Sequence, residues 1–216
     1  MSIMPSVESY AELPLSELLE CFATGEPGPA AGSAVGITGA LAASLVEMVA
    51  GLTCGKPTYA AFHPQCLEIQ ERAATSRRQL LASVDEDASS FTRVIEARRA
   101  RDAAATESER QFHAEAAIQA LRPAVDSPLR VARTCLELAA MADELARHGL
   151  KSARGDSQVA LGLAFAAGEG ALAAAECNLR SCSTVGWASA AREAALLLRG
   201  ELEERRRQLP LSASSP

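Results

Sequence analysis

Tryptophan, tyrosine and phenylalanine supply only one, two and five of the 216 residues. That is too few to furnish the aromatic and β-branched faces on which strands depend. Alanine fills about one position in five instead, combining the best helix propensity with a very small side chain. With 48% apolar and 22% charged residues the chain can bury a sizeable core, which excludes disordered and fibrous classes. The expected class is all-α, with closely packed helices.

Lysine is almost missing: Lys56 and Lys151 are the only two among 21 basic residues, which face 27 acidic ones for a net charge of -6. That balance excludes nucleic-acid binding through a broad basic face, which works by neutralising phosphates. The six cysteines (Cys21, Cys54, Cys66, Cys135, Cys177 and Cys182) form no CxxC pair. They read as reduced thiols, not as a disulfide framework or zinc site. The opening MSIMPSVESYAELPL lacks the basic and apolar regions of a secretory leader, so a cytoplasmic location is expected.

Long uncharged runs are also scarce, with one exception. Ser33 to Cys54 carries a single charge, Glu47, and at about 1.5 Å per residue is long enough to cross a bilayer. Its Gly, Ala, Ser and Thr content, without aromatic or basic flanks, favours a central buried helix over a membrane span. Gly32 and Gly36, followed by Gly39, predict the close approach of a second helix backbone.

Prolines and glycines divide the chain. A short helix is expected from Pro14 to Thr24, a loop over Gly25 to Gly32, and the apolar helix from Ser33, capped by Ser33 or its predecessor, to Thr53. Apolar spacing (Leu67, Leu80, Leu81, Val84, Val94) predicts a helix from Tyr59 to Ala100, with Pro64 the place for a kink. The polar stretch RRARDAAATESE links it to the next helix, which the capping box Thr106/Glu109 opens. That helix ends at Leu121, Pro123 and Pro128 bracket a break, and another helix runs to His148. Asp156 is the expected N-cap of an Ala-rich helix reaching Ser183, in which Gly162, Gly168 and Gly170 cost stability unless a neighbour packs on them. A charged amphipathic helix spans Trp187 to Arg207, and LPLSASSP is a frayed tail. The whole, residues 1–216, reads as one domain of five to seven helices.

The chemistry of several classes is missing. None of His63, His113 and His148 follows a Glu by three residues, as a di-iron bundle needs, and no metal site is expected. No G-x-S-x-G elbow is present, and no Lys-Ser or Lys-Thr follows the glycines as in a P-loop. Two loops remain. GPAAGS, Gly28 to Ser33, opens the apolar helix, where backbone amides suit an anion or a polar ring. CGKPTY, Cys54 to Tyr59, closes it. That helix is about 30 Å long, so both loops serve one site only if it is shared between subunits or a loop folds back.

The string EPGPAAGSAVGITGALAASLVEMVAGLTCGKPTY resembles the signature of the cyclodeaminase/cyclohydrolase family, T-P-x-P-G-G-G-S followed by a small-residue helix ending M-V-x-x-L-T-x-G-K-x-x-Y. The likeness continues through Asp85-Glu86-Asp87, Phe91, AAIQAL, Ser127-Pro128-Leu129, Asp156 and Asn178-Leu179, covering about residues 15 to 185. It implies an all-α up-and-down bundle, a homodimer, no metal or cofactor, and a tetrahydrofolate derivative as substrate. The implied activity is hydrolysis of 5,10-methenyltetrahydrofolate to 10-formyltetrahydrofolate, or cyclodeamination of formimino-tetrahydrofolate. Pro29, Gly32, Ser33, Lys56, Tyr59 and Asn178 are implied substrate-binding residues. Asp156, with Asp87 second, is the carboxylate that would steady the cationic ring and accept a proton from attacking water. Ala30 and Ala31 replace two loop glycines, Leu150 and Ser152 replace two asparagines, and EARRARD replaces a Leu-Pro-Lys segment. The alternative is a non-catalytic helical homologue acting as a partner or binding subunit.

Overall fold

The computed structural model describes residues 9–24, 28–182 and 186–209. These form helices α1 (Leu15–Ala23), α2 (Ala31–Cys54), α3 (His63–Ala103), α4 (Glu107–His148), α5 (Arg154–Arg180) and α6 (Gly186–Gln208). Two 3-10 segments, Pro57–Phe62 and Lys151–Ala153, precede α3 and α5. No strand occurs among the described residues. Ser183 and most of the LPLSASSP tail lie outside them.

Helices α2 to α5 form an up-and-down four-helix bundle in which α2 packs between α3 and α5, α4 closes the square, and α6 lies against α4 and α5. Small residues set the spacing. A Cβ placed on Gly36 would stand 2.8 Å from Ser83 Oγ and 3.1 Å from the Leu80 carbonyl oxygen, so α3 meets α2 as the glycine motif predicts. Gly168 is packed by Leu202 and Cys135, and Gly170 by Val35. The buried positions of α6, Ala188, Ala191, Ala195, Leu198 and Leu202, follow the period of a one-sided amphipathic helix. On α3 the inward residues include Cys66 and Ile69, while Leu67, expected inside, is 58% exposed.

Several local signals act as read. Thr106 Oγ1 accepts from the Glu109 N–H at 3.2 Å and Glu109 returns the bond to the Thr106 N–H at 3.0 Å, the reciprocal capping box. Pro64 does not kink a helix; it sits in the first turn of α3, where its missing N–H has no partner to lose. α3 continues to Ala103, so the Arg-rich segment is helical.

The expected break at Pro123 and Pro128 is absent: α4 runs unbroken through both. An interior proline leaves the carbonyl four residues earlier without its donor. For Pro123 that carbonyl belongs to exposed Gln119, where water can serve it. For buried Pro128 it belongs to Ala124, and Asn178 Nδ2 of α5 donates to the Ala124 oxygen at 2.8 Å. Asn178→Ala is therefore expected to cost about 1–3 kcal/mol by leaving a buried carbonyl unpaired. The loss should shrink when Pro128→Ala restores the helix donor, a coupling that urea denaturation of the four-member mutant cycle measures.

α2 and the stretch Lys151–Arg180 have mean hydropathy of 1.7 and 1.4, high enough to cross a membrane by length and composition, yet only 44% of each window is buried within the chain. Their uncovered faces carry Leu41, Met48, Leu52 and Val159, each at least 41% exposed. Gly162, inside α5, has open space around it.

Candidate functional site

The tripeptide Asp85-Glu86-Asp87 lies on α3, where residues step by about 100°, so each carboxylate faces a different element. Asp85 accepts from Ser9 Oγ and the Tyr10 N–H, both at 2.7 Å. Glu86 pairs with Arg130 of α4 at 2.6 Å and accepts from Ser127 Oγ at 3.3 Å. Asp87 reaches the start of α2, accepting from the Ser33 N–H at 2.9 Å and from Ser33 Oγ at 3.1 Å.

That last contact corrects the expected helix start. The N-cap of α2 is Ala30, which has no side-chain acceptor, and Ser33 is buried inside the first turn. Asp87 supplies the missing acceptor from a neighbouring helix. Burial raises the Asp87 carboxyl above the usual aspartate range, and the two Ser33 bonds only partly oppose this. A carboxyl so shifted is a stronger base than an ordinary aspartate.

The loop chemistry follows from the same contact. A Cβ on Gly32 would fall onto the Asp87 carboxylate, so this position requires glycine. Among the described residues none other than glycine has positive φ, and Ala30 is extended while Ala31 starts the helix. The two replaced glycines thus stand where alanine fits, and the one that is needed is kept. Pro29, within the loop, is buried.

Lys56, Tyr59 and Asp156 gather at the opposite end. The Lys151 N–H donates to Tyr59 Oη at 3.1 Å, and the Leu150 N–H to Thr53 Oγ1 at 3.0 Å. This tie brings the only two lysines to one end of the bundle. Asp156 is not the N-cap of α5; Ala153 is, and Asp156 lies exposed in the first turn. It makes no hydrogen bond or ion pair among the described residues. An open groove of about 720 Å³ runs from Lys56 along α2, bordered by Met48, Gly51, Gln70 and the Glu47–Arg77 pair. Asn178 lies beyond the start of α2, its amide nitrogen engaged by Ala124.

No cluster of three or more metal-ligating side chains occurs among the described residues. His63 Nε2 lies 3.1 Å from the Lys56 carbonyl oxygen, and His148 packs on Phe62.

A family model described as formiminotransferase-cyclodeaminase matches residues 14–196. The chain belongs to the formiminotransferase-cyclodeaminase family. It is 31% identical over 152 residues to a methenyltetrahydrofolate cyclohydrolase of Methylorubrum extorquens, spanning 70% of this chain and 72% of that one. Its fold matches the crystal structure of formiminotetrahydrofolate cyclodeaminase from Thermotoga maritima, with a TM-score of 0.76, 25% identity, and coverage of 91% and 93% of the two chains. Within the family signature this member keeps the glycine that Asp87 requires. Sequence reasoning named both Asp87 and Ser33; that they bond to each other carries no signal in a linear spacing of 54 residues.

Proposed function

We propose that this chain hydrolyses a cyclic amidine on a tetrahydrofolate carrier, converting 5,10-methenyltetrahydrofolate to the 10-formyl compound, or carries out the related formimino cyclodeamination. The observation that carries the reading is the part-buried Asp87, its carboxyl raised by desolvation, bonded to Ser33 beside Gly32. The substrate carbon is already cationic, so the reaction needs a base for the attacking water and a donor for the departing nitrogen. Asp87 takes the water proton, and Ser33 Oγ holds the carboxylate in place.

The working form is a cytoplasmic homodimer with composite sites. One α2 separates Asp87 from Lys56 and Asp156 by roughly 30 Å, too far for a single pterin ring. The exposed face of α2 and α5 supports a second copy packed antiparallel across it, and the open space at Gly162 leaves room for close helix contact. A two-fold axis across the middle of α2 sets the Asp87 end of one protomer beside the Lys56 end of its partner. Lys56 and Lys151 then take the substrate's glutamate carboxylates, Tyr59 and Asn178 border the bound molecule, and Asp156 steadies the cation.

Purified chain mixed with 5,10-methenyltetrahydrofolate should speed the loss of its near-ultraviolet absorbance over the uncatalysed rate. No acceleration at micromolar enzyme would replace this reading with the non-catalytic homologue.

A further inference from the structure

Resting on the Asp87 site proposed above, we infer that Tyr10 is a further substrate-contacting residue, its phenol donating a hydrogen bond to the bound ring at the mouth of the Gly28–Ser33 loop. Tyr10 lies outside residues 14–196, the span of the family match.

Three observations converge on it. First, the segment before α1 is held in place: Asp85 grips Ser9 Oγ and the Tyr10 N–H at 2.7 Å each, and the Leu13 N–H donates to the Tyr10 carbonyl at 3.4 Å. Asp85 lies two residues from Asp87 on α3, so one stretch of helix positions both the base and the strap. Second, the phenol is directed at the loop. Tyr10 Oη lies 3.7 Å from where a Cβ on Gly28 would stand, and Gly28 adopts φ +106°, a conformation reserved in practice for glycine. Third, the hydroxyl has no hydrogen-bond partner among the described residues, although Tyr10 is half-buried. Burial, with Cys21 and Asp85 nearby, raises its titration and keeps the phenol protonated. A pinned, protonated and unclaimed donor beside the loop is what departure of a ring nitrogen requires.

The test is steady-state kinetics on methenyltetrahydrofolate for the full chain, Tyr10→Phe and Asp85→Asn, with thermal melting of each. Tyr10→Phe keeps the ring and removes only the donor, so kcat/KM should fall about tenfold, the worth of one hydrogen bond, with the melting temperature unchanged. Asp85→Asn weakens the strap and should lower kcat/KM in the same direction, and adding Tyr10→Phe to it should cost little more. Wild-type kinetics in Tyr10→Phe from an active parent would overturn this inference alone. A parent with no activity would overturn it together with the proposed function.

Discussion

Asp87→Asn is expected to lower kcat for methenyltetrahydrofolate hydrolysis by about 10²–10⁴-fold, the range for loss of a general base, while the bundle stays folded. Asparagine has the same shape and still offers one acceptor to the Ser33 N–H or Oγ, so the start of α2 keeps a cap. The pH profile separates chemistry from structure. In the parent the rate falls on acidification as Asp87 takes a proton. Because burial raises its native pKa, that acidic limb lies above the ordinary aspartate value of about 4 and is absent in the variant. The linked stability has a definite sign. The native state holds this proton more tightly than the unfolded chain does, so stability declines as pH rises from the ordinary aspartate range through the raised native value. Asp87→Asn removes that decline and should be no less stable than the parent at neutral pH. Urea denaturation across pH, beside kcat/KM, measures both; an unaltered rate removes Asp87 from the mechanism.

The second large effect is restoration of activity by mixing two inactive proteins. Asp87→Asn and Asp156→Ala each remove a carboxylate from a different end of the bundle. If each site draws on both ends from different protomers, every mixed dimer holds one intact site and one doubly altered site. Random pairing makes half the dimers mixed, so co-expression should recover about a quarter of parental activity. A site confined to one protomer recovers none. Light scattering on the same samples reports the dimer, and a charge at Leu41, an exposed position on α2, should reduce both mass and recovered activity.

The extent to which this molecule is legible before folding differs sharply between elements. The Thr106/Glu109 box and the small-residue pattern of α2 were readable because each is carried by residues within a turn or two of one another. The continuity of α4 was not. Pro128 argues for a break on any local ground, and the donor that answers it, Asn178, is 50 residues further along the chain. The start of α2 is similar: Ala30 cannot cap, and the acceptor arrives from Asp87 on another helix. Likewise, that alanine fits at Ala30 and Ala31 depends on backbone angles, extended at one and helical at the other, which the family signature does not show.

By itself, the sequence determined that the chain is helical, that α2 carries its long nearly uncharged run and α5 is Ala-rich, and which residues form the family signature. Helix propensity, capping and hydropathy are short-range properties carried by the residues themselves. Only the tertiary structure decided that Gly32, unlike Ala30 and Ala31, stands where a side chain would meet the Asp87 carboxylate, that Asp87 is the part-buried acceptor, and that Asp156 stands exposed at the other end. Those outcomes follow from desolvation and from contacts between distant segments, which exist once the bundle has brought α2, α3 and α5 together.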